Sequence, residues 1–367
     1  GQLSPFNPTQ PQPPVELSAL GAVHNPPTSY QYSLGIQYQL ASSTTLEVDY
    51  VGSHQIHLGR NRDINQPLPQ YQLPIYNGLI DANSVRPYLG YSIINLNERD
   101  AISRYNSLQV FLNRRVDRYG LQFQAAYTYS RNLSNTINQD TEGHNAPVQN
   151  AYNTLAEYAV ANQNTPNSFT ANFIWALPWF KTAHGFQGQA LGGWQLVGIS
   201  TLRTGLPINV CEDADYAGTY SEACLRPNLV SNPNLAKSGR TLQAFFNPNA
   251  YVLQPLGTFG NAARNLIVGP GINNTDFSIF KDFSIPWFGR GGSNSLGGES
   301  ANLQFRAEFF NVFNHTQFSG VNSTFIPQTD SNGNPLVGLP ADPGSGFGVV
   351  TDARAPREIQ FALKFLF

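Results

Sequence analysis

Apolar residues recur at every second position through much of the chain. In "TSYQYSLGIQYQLA", Tyr30, Tyr32, Leu34, Ile36, Tyr38 and Leu40 share one face, and Gln31, Ser33, Gln37 and Gln39 take the other. "TTLEVDYVG" sets Leu46, Val48 and Tyr50 against Glu47 and Asp49, and "NSLQVFLNRRV" sets Leu108, Val110 and Leu112 against Gln109, Phe111 and Asn113. "YGLQFQAAYTYS", "SFTANFIWAL", "TDFSIFKDFSI" and "NLQFRAEFFNVFN" repeat the pattern, and "GGWQLVGISTLRTG" repeats it less cleanly. The chain closes on "REIQFALKFLF", with Ile359, Phe361, Leu363, Phe365 and Phe367 at alternate positions. Period two is the signature of a strand with one apolar face. The chain therefore reads as about nine strands, with "NTLAEYAVAN" as the best, and short, helix candidate.

The connections alternate short and long. "ASS", "DRYG", "PWFKTAHGFQGQALG" and "PWFGRGGSNSLGGES" are the short ones, and about 53–103, 131–167, 206–274 and 315–357 are the long ones. In an up-and-down meander, every second connection lies at the same end. All short turns thus share one end and all long loops the other, the asymmetry of outer-membrane barrels with periplasmic turns and extracellular loops. Trp175, Trp179, Trp194 and Trp287 all fall at the short-turn end, where interface aromatics belong. The expected fold is all-β, an antiparallel up-and-down meander forming part of a large transmembrane β-barrel. Its last strand presents apolar residues to hydrocarbon, and its terminal Phe367 fits the signal read by the barrel-assembly machinery. The competing reading is a buried edge strand of a soluble sheet. Residues 1–27 read as an extracellular loop remnant and 28–367 as barrel.

Composition sharpens the choice. Charged residues are 12% of 367, against a usual ~25%, and aromatics are also 12%. A soluble α/β enzyme covers its surface with Lys and Glu, and this chain does not. No stretch approaches the ~18 unbroken apolar residues of a membrane helix. A net charge of −2 leaves no nucleic-acid footprint. The sequence has no methionine and no signal peptide, and its start reads as a cut inside a larger protein.

Candidate chemistry is sparse. Cys211 and Cys224 are the only cysteines and share one expected extracellular loop, "CEDADYAGTYSEAC". An oxidising compartment favours a disulfide there, worth about 3 kcal/mol in the chain-entropy model. Glu212, Asp213, Asp215 and Glu222 in that loop form either a cation-attracting patch or a solvated acidic loop. "DSNGN", residues 330–334, lacks the spacing of a calcium loop and reads as a turn. His54 and His57 are three apart, as a metal pair or as unrelated loop histidines. "GRGGSNSLGG" lacks the Lys-Ser/Thr of a phosphate cradle. No catalytic motif or cofactor site is found, and no catalysis is expected. Glu47, Asp49, Arg306, Glu308 and Lys364 fall on polar faces, as lumen-facing charges or as internally paired ones. Lys281 is the misfit, a lysine on the apolar face of its strand that needs a bulge or an interface to accommodate it.

"VDYVGSHQIHLGRNRDINQPLP", "GGWQLVGISTLRTGLPINV", "FFNPNAYVLQPLGTFGNAARNLIVGPGINNTDFSIFKDFSI", "NLQFRAEFFNVFNHTQFSGVNSTF" and "FGVVTDARAPREIQFALKFLF" resemble the C-terminal barrel half of TonB-dependent receptors, in particular the Oar-like group bearing a carboxypeptidase-regulatory-like domain. The resemblance spans nearly the whole chain. It implies a barrel of around 22 strands, a plug that contacts TonB, and import of a bulky solute such as a peptide, glycan or chelate. Plug and TonB-contacting segment have no counterpart here. A passive porin-like or surface-adhesion barrel and a soluble secreted all-β binding module are the rival expectations.

Overall fold

The computed structural model describes residues 14–366, except 24, 117–118, 137–146, 181–184 and 286–300. Nine strands follow one another: β1 (Thr28–Ala41), β2 (Thr44–Asp63), β3 (Tyr91–Arg114), β4 (Leu121–Ser134), β5 (Asn167–Ala176), β6 (Trp194–Arg203), β7 (Ile272–Ile285), β8 (Ala301–Phe310) and β9 (Glu358–Leu366). Each pairs antiparallel with its neighbours in sequence, so their order in the sheet is their order in the chain. Two short segments join the sheet off this path. Val15–Leu20 runs parallel to the first part of β3, and Ala159–Val160 pairs with the end of β4.

Register carries the alternation across the whole sheet. Phe123, Phe173, Gly198, Phe277, Phe309 and Ile359 stand opposite one another in one row from β4 to β9. A slip by one residue in any strand would turn its rings to the other face. Gly198 has a packing reason to be glycine: a Cβ there would lie 2.3 Å from a Phe173 ring carbon. Its absence lets the rings of Phe173 and Phe277 approach to 6.5 Å, and Phe277 and Phe309 continue the ladder at 6.4 Å. The opposite face carries Asn113, Gln124 and Asn172 in one row. β6 alternates poorly in sequence because Val197 and Ile199 lie on that polar face, paired with Ile174 and Asn172.

β2 and β3 run well past their expected ends, with 20 and 24 residues. A tilted membrane strand needs ~9–11, so both rise far above the wall. The connection expected at 53–103 is therefore only 64–90. The helix candidate "NTLAEYAVAN" forms a single 3-10 turn, Thr154–Glu157, before its strand. Helices form elsewhere: Pro69–Tyr76 in the β2–β3 loop and Gly185–Leu191 in the β5–β6 turn. Among the described residues, no helix is long and apolar enough to cross a membrane.

The Gly185–Leu191 helix accounts for Lys281. Register on both sides of β7 is unbroken there, so no bulge relieves the lysine. Instead its ammonium donates to the carbonyl oxygens of Gln189 and Gly192. It also lies 5.5 Å from the Trp194 ring centroid and 4.9 Å from that of Phe283. A cation at a helix C-terminus satisfies carbonyls that have no partner within the helix. Replacing Lys281 by methionine is expected to leave β7 paired but free the turn, at a cost of about 1–3 kcal/mol for the orphaned acceptors. Amide exchange over residues 189–194 should accelerate while that of β7 stays slow; unchanged exchange in the turn would contradict this.

Candidate functional site

The buried core of this chain lies in its loops, not in its sheet. Val210, Phe245, Phe246, Tyr251, Leu253 and Ile267 of the β6–β7 loop pack with Phe325, Ala341 and Phe347 of the β8–β9 loop. Phe347 is the hub, with ring centroids of Phe246, Phe325 and Tyr251 at 4.9, 5.7 and 5.9 Å. Cys211–Glu212 pairs parallel with Thr324–Phe325, tying the two loops through their backbones. A disulfide joins Cys211 to Cys224, with Cα atoms 5.2 Å apart. Asn209 Nδ2 donates to Cys224 Sγ at 3.1 Å.

Polar contacts bring in the other two loops. Glu157, at the end of the 3-10 turn, accepts from Arg226 through both oxygens, at 2.9 and 3.1 Å. Arg264 Nε lies 3.3 Å from the same carboxylate, and all three side chains are 3% exposed or less. Arg264 also donates to the Ser134 and Glu157 carbonyls. Gln149 accepts from the Arg226 amide, and Gln66 donates to the Gln149 carbonyl. Arg86 donates to the carbonyls of Asn65 and Tyr220, bridging the β2–β3 loop to the disulfide segment. Burial pulls the Arg86 pKa down, against the opposing charge of Asp63. Four loops thus form one body at one end of the sheet. Bidentate guanidinium–carboxylate pairing fixes relative orientation as well as distance.

The acidic segment is engaged by its own loop. Tyr216 donates to Asp213, and the Tyr220 amide to Asp215. Glu222 is exposed. Among the described residues no three His, Cys, Asp or Glu side chains come together as a metal site. His54 stands opposite Arg104, and His57 has φ 59° at a register shift in β2. Asp330 accepts from the amides of Asn332 and Asn334, closing a turn.

Glu212 is the unusual titrating group. Burial foremost, then Asp215 and Asp213, push its carboxyl up from 4.5 to about 8, against Gln254 and Arg226. The folded loop keeps a proton that the unfolded chain loses between those two values. The contribution of Glu212 to the stability of the loop body is therefore full below about 4.5 and falls as pH rises toward 8, by up to about 1.4 kcal/mol per unit. The urea midpoint of the loops should drop from pH 5 to pH 8.5 in the native protein and stay level in Glu212→Gln. A midpoint equally pH-dependent in both would contradict the assignment.

The polar face of the sheet carries the five expected charges. Glu47 and Asp49 stand opposite Phe111 and Gln109, Arg306 and Glu308 opposite Phe280 and Ser278, and Lys364 opposite Gln304. None of the five ion-pairs with another described residue. Arg306 donates instead to Gln304, which donates to Asp282. At the turn end, the Trp175 and Trp179 rings meet at 5.4 Å, and the Trp175 and Trp194 indoles donate to the carbonyls of Tyr119 and Ala190. Ile359, Phe361, Leu363 and Phe365 of β9 lie opposite Phe309, Ala307, Phe305 and Leu303 on the apolar face. Trp287 and Phe367 lie outside the described residues. Glu157, Arg226 and Arg264 carry no mark in the sequence, since their partners are 69 and more positions away.

The sequence model of a family described as an outer membrane beta barrel domain matches residues 2–360. No curated protein matches the chain. Among solved structures, the outer membrane transporter YddB from Escherichia coli is similar at 10% identity and a TM-score of 0.42, over 92% of this chain and 32% of that one. The chain thus spans about a third of that transporter's length.

Proposed function

Since the chain belongs to the outer membrane β-barrel domain family, we propose that it supplies wall and capture surface to a TonB-dependent transporter importing a bulky solute. The observation that carries this reading is the loop body. Four long connections converge on one end of the sheet into a unit with its own core, a disulfide and buried ion pairs. A preorganised surface, whose ordering is complete before the solute arrives, suits selective capture. The polar face beneath it, with Glu47, Asp49, Arg306, Glu308 and Lys364, lines the path onward.

Neither β1 nor β9 has an outer partner among the described residues. Hydrocarbon does not tolerate open sheet edges, so both edges are paired in the assembled protein. Energy would come from TonB acting on a plug, and the solute would be a peptide, glycan or chelate. The chain's part in this is binding, with no chemistry performed.

Uptake of fluorescently labelled peptide and oligosaccharide pools, in cells making the whole protein, tests the reading. Uptake that stops when the proton gradient is collapsed supports energised import. Uptake indifferent to the gradient would make the protein a passive barrel.

A further inference from the structure

A cavity of about 1000 Å³ opens on the apolar face of the sheet, just below the loop body. Its floor is Tyr127, Phe169 and Leu202, which stand side by side on β4, β5 and β6. Its roof is the β6–β7 loop, which hangs over this face with Lys237, Arg240 and Phe245. In an outer-membrane barrel the apolar face meets lipid, and the loop end of the strands lies at the outer interface.

The charge lining this cavity has one sign. Lys237 and Arg240 contribute to it, and no Asp or Glu does. Arg240 is held in place: its guanidinium lies 4.6 Å over the Phe245 ring, and its Nε donates to the Leu235 carbonyl. No described carboxylate lies within ion-pair distance of it. Burial lowers its pKa, as expected for a cation drawn from water without an anion beside it.

We propose that this cavity binds a phosphorylated lipid of the outer leaflet, with its phosphate on Arg240 and Lys237 and an acyl chain along Phe169 and Leu202. The shape of the site selects an amphiphile. A free anion has no use for the ring-lined floor, and an uncharged lipid leaves the partly buried Arg240 guanidinium without an anion beside it. Arginine pairs with phosphate through two parallel hydrogen bonds, while lysine adds a point charge. The site is independent of any coupling to TonB, because it lies on the outer side of the wall.

The test uses the whole protein, purified in an uncharged maltoside detergent and stripped of lipid. It is titrated with a diphosphorylated, acylated glucosamine lipid and read by native mass spectrometry. The native protein should retain one tightly held lipid. Combined Arg240→Ala and Lys237→Ala should weaken retention about tenfold or more, whereas Arg240→Lys should lose less and Arg115→Ala, exposed in the β3–β4 turn at the other end of the sheet, nothing. The heat-dependent gel shift verifies that each variant is folded. The same lipid with its phosphates removed should not be retained. Equal retention by the double variant would overturn the proposal. So would displacement of the lipid by millimolar inorganic phosphate, which would mark a free-anion site.

Discussion

Glu157→Ala is expected to take the loop body apart while leaving the nine-strand sheet paired. The carboxylate is 1% exposed and faces two arginines that are themselves buried. Removing it leaves Arg226 and Arg264 charged, desolvated and uncompensated, a change that costs about 3–5 kcal/mol. The cost falls on the loops, because Glu157 is where the β4–β5 connection meets the β6–β7 connection. Amide exchange should accelerate at Arg226, Leu229 and Tyr251, and proteases should cut the β6–β7 loop in intact outer membranes. The heat-dependent gel shift, which reports the wall, should persist. Under the proposed function, solute capture is lost with wall and assembly intact. Glu157→Gln keeps the shape and some hydrogen bonds and should fall between. Exchange unaltered in the alanine variant would show that the loops hold together without this ion cluster.

The second large effect concerns the faces of the wall. Ile279, at the middle of β7, pairs with Leu196 and Ala307 on the apolar face; Ser278, one residue away, pairs with Val197 and Glu308 on the polar face. Arginine at a lipid-facing midplane position costs about 2–4 kcal/mol. Ile279→Arg should therefore lower the urea midpoint in vesicles strongly. Ser278→Arg places its cation opposite Glu308, on the face that water reaches, and should cost under about 1 kcal/mol. Two substitutions one residue apart thus differ by most of the effect, which neither strand propensity nor side-chain volume would produce. Equal losses would mean that both faces share one environment.

Much of the wall was legible in the sequence. A strand with hydrocarbon on one side and a polar space on the other has to alternate, and it does so within the wall in every strand but β6. Legibility failed where that constraint lapses. The upper halves of β2 and β3, "SHQIHLGRNRD" and "YSIINLNERDAI", rise above the wall. With water on more sides, the alternation dissolves, and the register shift at His57 blurs it further. β6 read poorly because Val197 and Ile199 face inward.

The loops hid more. The Pro69–Tyr76 helix carries an internal Pro74 and no amphipathic stripe. The Glu157 cluster joins residues that local pattern cannot relate, and the cavity under Arg240 depends on how a loop folds back over the wall. Lys281 shows the intermediate case. Its misfit was visible on the apolar face, but the remedy was not, because the carbonyls it caps lie about 90 positions away on a helix that the sequence showed only as a turn.

The most direct test of the account is lipid accessibility along β7. Cys211 and Cys224 are joined in the described structure, and the sequence has no other cysteine. A single cysteine introduced in turn at each of residues 275–282, in the whole protein in vesicles, is then the only free thiol to carry a fluorescent label. Quenching by brominated acyl chains is expected at 275, 277, 279 and 281, damped at 281 where the turn helix covers the strand, and quenching by aqueous iodide at 276, 278, 280 and 282. Uniform quenching along the strand, or an alternation in the opposite phase, would contradict a wall whose ring-bearing face meets the lipid.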